Sequence, residues 1–253
     1  MTKNESFIEV KFNTPFKIKA GVSTRIGGES TGPYSSFNLG KSSGEDLDPV
    51  TKNRKVYADW FGKKPEQLVV AFQCHGNQIE SVTKPGEFKD VDGFMTQTPD
   101  LPLNVSIADC FPVWFHDCVT GWIAVTHCGW RGVANGIHKL QIQKLIETGS
   151  KLENIQVVIG PGIRLCHFEV GGEVGEFFPL KFIRESETIG KFFVDLPGTI
   201  RQDLLELGIW QKNIEDMDRC TYCEPDFFYS YRRDGGVTGR MMAGIVIQGT
   251  SDQ

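Results

Sequence analysis

Short β-rich runs dominate this chain, and only three helix-patterned segments interrupt them, in no regular strand–helix–strand rhythm. The runs fall at residues 17–23, 68–72, 103–108, 113–116, 122–126, 156–159 and 241–247. Some alternate apolar and polar residues, as a half-buried strand does; Val157-Val158-Ile159 is unbroken and reads as a strand covered on both faces. A doubly wound fold needs strands and helices in steady alternation. The order here instead predicts an α+β fold, with mixed β-sheets forming a sandwich-like core flanked by helices.

The first helix is expected to start with Asp48 as cap and Pro49 in its first turn, bury Val56, Tyr57, Trp60 and Phe61, and stop at Gly62. A second follows Gly132, with Val133, Ile137 and Leu140 at helical spacing. A third lies between Asp195 and Gly208 and turns Ile200, Leu204 and Leu207 to one side. No repeat, low-complexity linker or composition shift divides the chain, so residues 1–253 read as a single catalytic domain.

Composition excludes several function classes. Hydrophobic residues make up 40% and charged residues 23%, an ordinary globular balance. Net charge is −5 with no long run of Lys or Arg, which argues against a nucleic-acid partner. No stretch approaches the roughly 18 apolar residues of a membrane span. The first eleven residues lack the pattern of a secretion signal. Seven cysteines, an odd set, then suggest reduced thiols in the cytoplasm.

Three motifs carry the candidate chemistry: Gln73-Cys74-His75-Gly76, Ala108-Asp109-Cys110-Phe111-Pro112 and His127-Cys128-Gly129-Trp130-Arg131-Gly132. Each sets a His or Cys at a strand end beside Gly or Pro, where a rigid sheet can present functional side chains. His75, Cys110 and His127 could be the three protein ligands of a catalytic zinc, which keeps a fourth position open. The residues alone leave the alternative open: the two histidines hydrogen-bond in turns and Cys110 packs as a small hydrophobe. Cys74 and Cys128 complicate the choice of ligand. His116, His138 and His167 are weaker candidates, and His138 is expected to face solvent. Cys220-Thr221-Tyr222-Cys223 is a lone CxxC without a second pair, which reads as structural thiols near the pocket, neither a closed zinc site nor a redox motif.

The cationic turn Tyr231 to Arg240 and the segment Thr24-Arg25-Ile26-Gly27-Gly28 offer arginine forks and glycine amides, the groups that bind phosphate. The plainer reading is a solvated turn in which Arg232 or Arg233 pairs with Asp234. GxGxxG and P-loop patterns are absent.

Taken in order, these motifs resemble the YfiH-type family, first described as multicopper polyphenol oxidases (laccase-domain proteins) and later as zinc-dependent purine nucleoside phosphorylases. The resemblance runs from Ser23–Gly28 through Phe37-Asn38-Leu39-Gly40, the three motifs above, Gly160-Pro161-Gly162-Ile163, Cys166, Phe168-Glu169-Val170 and Phe228 to Arg240, ending in Met242-Ala243-Gly244. It implies zinc held by His75, Cys110 and His127, with Cu2+ as an in vitro occupant. It further implies phosphorolysis of adenosine, inosine and S-methyl-5'-thioadenosine to base and sugar phosphate, and deamination of adenosine. A fold resembling toxin deamidases that act through a cysteine is also implied. On this reading Asp109 is a proton-handling carboxylate or one that supports a ligand, beside catalytic Cys110 and His127. Arg25, Asn38, Arg232, Arg233 and Arg240 are the candidate substrate- and phosphate-binding residues, and the partners are small molecules around a monomer. Two departures bear on substrate preference: residues 41–46 lack the His that many members carry, and Cys128 stands where Ala is usual. The competing readings are a thiol hydrolase with Cys110 as nucleophile and His127 as base, a copper oxidase, and a non-catalytic binding module. Five histidines are too few for a multicopper centre once two serve zinc.

Overall fold

The computed structural model describes residues 6–249; the outermost residues of the single-domain reading, 1–5 and 250–253, lie outside the described residues. Two six-stranded mixed sheets form the centre. The first runs Phe7–Val10, Ile18–Ser23, Met241–Ile247, Leu103–Ile107, Val69–Phe72, Gly86–Lys89. The second runs Ile214–Asp216, Ile155–Ile159, Phe111–Asp117, Ile123–Cys128, Gly93–Thr96, Ile79–Ser81. Both mix antiparallel pairs, such as Phe111–Asp117 with Ile123–Cys128, and parallel ones, such as Val69–Phe72 with Leu103–Ile107. A small third sheet comprises Glu169–Gly171, Lys191–Val194 and Ile183–Glu185.

Strand periodicity sorts the apolar residues into layers. Along Met241–Ile247, residues Met241, Ala243 and Ile245 join the core shared with Trp114, Ile123, Val125 and Val158 of the second sheet. The alternate residues Met242 and Val246 pack against Tyr57, Ala58 and Phe61 of the first helix. In the second sheet, Phe111, Val113 and Phe115 turn the other way, onto Ile137, Ile142 and Leu145. The order is therefore helix, sheet, sheet, helices, and central strands are buried on both faces, as the unbroken run at 157–159 predicted. Each fully buried aliphatic or aromatic side chain contributes about 1.5–3 kcal/mol. The two sheets are also tied by a hydrogen bond, Trp114 Nε1 donating to the Gly244 carbonyl at 3.1 Å. The α+β sandwich read from the sequence is the observed fold.

The helices depart from expectation in informative ways. The first, Leu47–Trp60, starts before Asp48, and its inner face is Val50, Asn53, Arg54, Tyr57 and Ala58. Val56, expected inside, is 46% exposed. The pattern misleads because polar residues occupy the inner face: Asn53 donates to the Asn38 carbonyl at 3.0 Å and Arg54 Nε to that of Leu39 at 2.8 Å. Gly62, at φ 69°, does end this helix, in the left-handed region that glycine tolerates. The expected second helix is two, Trp130–Ala134 and Ile137–Glu147, broken at Gly136 with φ 72°. His138, expected at the surface, is fully buried, its Nε2 donating to Asp203 Oδ2 at 2.8 Å. The third, Leu196–Glu206, is capped by Asp195 accepting from the Gly198 N–H at 3.0 Å; Ile200 and Leu204 are buried, while Leu207 lies past its end and is 38% exposed.

Candidate active site

The three motifs meet at one end of the sandwich, where interior strands of both sheets run out. Val69–Phe72, in the first sheet, runs into the turn that holds His75, whose φ of 61° is left-handed. Leu103–Ile107, in the same sheet, passes through Ala108, Asp109 and Cys110 into Phe111–Asp117 of the second sheet. Asp109, at φ 91°, makes that tight crossing. His127 sits near the end of Ile123–Cys128, paired in register with Pro112, so the ladder sets it beside Cys110. The ligand-type atoms of His75, Cys110 and His127 all lie within 4.8 Å of one another, close enough for one metal ion.

A buried carboxylate organises this group. Asp92 Oδ1 accepts from His127 Nδ1 at 2.8 Å and from the His75 N–H at 3.1 Å, while Oδ2 accepts from the Gly76 N–H at 2.8 Å. A carboxylate partner requires the proton on Nδ1, which leaves the Nε2 lone pair of His127 for a ligand. Burial would push the Cys110 thiol up, but the neighbouring His127 and His75 outweigh it and bring it down to about 6. Burial likewise works against charge on His127, yet Cys110 and Asp92 raise it to about 9, so with no ion bound Nε2 carries a proton that a metal would displace. The donor set, two imidazoles and a readily ionised thiol, fits a metal such as zinc, with three protein ligands and room for a fourth. Cys74 and Cys128 drop out: the Cys74 thiol donates to Asp92 Oδ2 at 3.3 Å, and Cys128 is buried in the core with its pKa pushed up to about 12.

The three residues line a cleft of about 560 Å³. Of the candidate cationic residues, Arg232 and Arg240 line it, joined by Arg54, Arg131 and Lys41. Asp109 also lines it, held by Thr221 Oγ1 at 2.6 Å and the Arg232 N–H at 2.7 Å with acceptor capacity left on each oxygen; the carboxylate behind the metal-type ligands is Asp92. Arg25, Arg233 and Asn38 are not among the lining residues. Arg25 donates to the carbonyls of Ser35 and Pro225 at 2.8 and 2.9 Å. Arg233 pairs with Asp234 at 2.9 Å and donates to the Thr221 carbonyl, which is the plain turn reading. Asn38 is buried and accepts from the Arg240 N–H at 2.8 Å, setting the backbone behind that arginine. Sequence reading missed Asp92, Arg54, Arg131 and Lys41. Arg54 could have been found by its spacing, three residues before Tyr57 and seven before Phe61, on the face expected to be buried.

A model of the family described as multi-copper polyphenol oxidoreductase laccase matches residues 19–248. The chain belongs to this family. It is 38% identical over 237 residues to the purine nucleoside phosphorylase YfiH of Escherichia coli, covering 91% of this chain and 94% of that protein. It is 35% identical over 246 residues to the purine nucleoside phosphorylase YlmD of Geobacillus stearothermophilus, covering 89% of each. The crystal structure of that YlmD superposes with a TM-score of 0.91 at 32% identity and 98% coverage of both chains. That of the Bacillus licheniformis hypothetical protein YfiH does so with a TM-score of 0.87 at 34% identity, over 91% of this chain and 93% of that one. The family resemblance read from the collinear motifs is thus shown. No helix among the described residues is long and apolar enough to cross a membrane.

Proposed function

We propose that this protein is a zinc-dependent purine nucleoside phosphorylase, acting on adenosine, inosine and S-methyl-5'-thioadenosine, with an accompanying adenosine deaminase activity. The reading rests on one observation: His75, Cys110 and His127 converge in a cleft that cationic side chains also line, in a chain whose relatives are named purine nucleoside phosphorylases. In phosphorolysis the bond from the anomeric carbon to the purine nitrogen breaks, a bond from that carbon to a phosphate oxygen forms, and the purine leaves with the electron pair and gains a proton. Arg232 and Arg240 would hold the phosphate dianion against the sugar and lower the cost of bringing a charged nucleophile into the cleft. Phe168, Tyr231 and Trp130, also at its wall, would hold the base and sugar and exclude water. Asp109, fixed by Thr221 and the Arg232 backbone, would orient a polar group of the substrate or pass a proton. A bound zinc would supply Lewis-acid chemistry, the ingredient that hydrolytic deamination of adenosine requires. Residues 1–253 would act as one cytoplasmic, monomeric catalytic unit with small-molecule partners.

Chromatography of adenosine and inosine incubated with the enzyme tests this directly. Adenine or hypoxanthine should appear only when phosphate is present, and inosine should form from adenosine without it. Nucleosides left intact with phosphate present would remove the phosphorylase assignment.

A second reading has a specific geometric basis. Cys110, His127 and Asp92 line up as nucleophile, base and orienting carboxylate, the order a thiol hydrolase uses. Activity that survives chelation and disappears on alkylation of Cys110 would favour it over the zinc enzyme.

A further inference from the structure

A second group of ligand-type side chains lies outside the machinery described above. Cys166 and His167 come from the connection after Ile155–Ile159, and Cys220 and Cys223 from the turn after Ile214–Asp216. One ligand atom from each lies within 4.8 Å of all the others. Cys166 Sγ is 3.6 Å from both Cys220 Sγ and Cys223 Sγ, and Cys223 Sγ is 3.2 Å from His167 Nδ1. A tetrahedral ion with bonds of about 2.3 Å to sulfur and about 2.0 Å to nitrogen holds its ligands roughly 3.5–3.8 Å apart. The four side chains already stand close to that spacing.

The surroundings hold them there. A parallel bridge joins Gly162 to Cys220, and the Thr221 N–H donates to the Gly162 carbonyl at 3.1 Å, so the two connections are fixed to each other. The His167 ring stacks on Tyr222 at 3.9 Å, which sets its orientation. Cys220 is buried, whereas Cys166 and Cys223 are exposed, giving an ion a way in. Read along the chain, the CxxC lacked a second pair; Cys166-His167 supplies one from 54 residues away.

We propose that Cys166, His167, Cys220 and Cys223 form a structural zinc site distinct from the His75–Cys110–His127 group. Three thiolates and a neutral imidazole fill all four positions, leaving none for water or substrate, so the site is not catalytic. The three thiol protons pass to solvent on binding. Thr221 lies between two of the ligands; its hydroxyl holds Asp109, whose other oxygen holds the Arg232 backbone. The ion would thereby brace one wall of the cleft.

Zinc analysis of protein purified under reducing conditions without added metal tests the site. A His75→Ala variant should keep about one zinc per chain that a Cys223→Ser variant lacks. In His75→Ala stripped of zinc and loaded with Co2+, a thiolate-to-cobalt charge-transfer band and the strong visible bands of a tetrahedral site should appear. That readout holds even if Cys223→Ser does not fold. Equal zinc in Cys223→Ser and the parent, no tetrahedral cobalt spectrum in His75→Ala, or recovery of Cys166 joined by a disulfide to Cys220 or Cys223 would each overturn the proposal.

Discussion

Asp92 Oδ1 stands 2.8 Å from His127 Nδ1, and the same carboxylate accepts the backbone N–H groups of His75 and Gly76. One buried anion therefore fixes the ring of one metal-type ligand and the backbone of another. His127, the Gly76 N–H and the Cys74 thiol outweigh the cost of its burial and keep it ionised, with a pKa of about 2. Asp92→Asn preserves the shape but removes the charge that sets the tautomer of His127. Zinc affinity should fall about 10–100-fold, measured by competition with a chromophoric chelator. Unchanged affinity would mean that the backbone turn alone positions the ligands.

Gly129 explains why the loop after His127 needs glycine. Its φ of −76° would suit any residue, so the constraint is space. A Cβ there would stand 3.0 Å from Cys110 Sγ and 3.2 Å from His75 Cδ2. Gly129→Ala should displace both ligands by a few tenths of an ångström and weaken zinc binding roughly tenfold, by analogy with other losses of ligand support. The thermal midpoint of the metal-free protein should barely move, because the clash falls on the site and not on the core. A large drop in that midpoint with zinc affinity intact would contradict this account.

The sandwich was legible in the sequence because period-two burial leaves its mark on each strand: Met241, Ala243 and Ile245 face one core while Met242 and Val246 face another. The metal-type triad was legible through strand-end placement and collinear family motifs. Asp92 was not, because nothing local distinguishes it from Asp90 until the fold sets it behind His127. His138 was misread because its partner Asp203 lies on another helix, and helical position alone cannot reveal a buried polar pair. The arginines were grouped by proximity in sequence, whereas the tertiary structure separates neighbours: Arg232 reaches the cleft and Arg233 turns to the carbonyls of Thr221 and Phe228.

That separation yields a paired test. Arg232→Ala or Arg240→Ala should raise the KM for phosphate roughly tenfold to a hundredfold, the cost of a lost charge-assisted contact. Arg233→Ala should leave that KM within about twofold and lower stability on the order of 1–3 kcal/mol, because its carbonyl partners and Asp234 lose their donor. Steady-state kinetics with varied phosphate, alongside urea denaturation, separates the two effects. A larger KM effect from Arg233→Ala would reverse the order of importance proposed here.

Buried His138, paired with half-buried Asp203, gives the fold a pH dependence of known sign. Burial lowers the His138 pKa from its ordinary value, against the opposing pull of Asp203, and Lys139 nearby adds to the lowering. Its Nδ1 finds no hydrogen-bond partner among the described residues, so a proton placed there would be buried unsatisfied. The unfolded chain then takes up this proton near pH ~6.5, where the folded chain does not. Stability is fully present above that point and falls as pH drops towards the lowered folded value. His116, also lowered by burial, acts in the same direction. Asp203, with a lowered pKa of its own, loses its contribution only as pH falls through and below the ordinary carboxylate range, so it does not blur the window. His138→Gln can still donate to Asp203 but cannot titrate. Its urea midpoint should fall less than that of the parent between about pH 7.5 and 5.5. Parallel curves for the two proteins would show that His138 is protonated equally in the folded and unfolded states, and the neutral form of buried His138 would have to be abandoned.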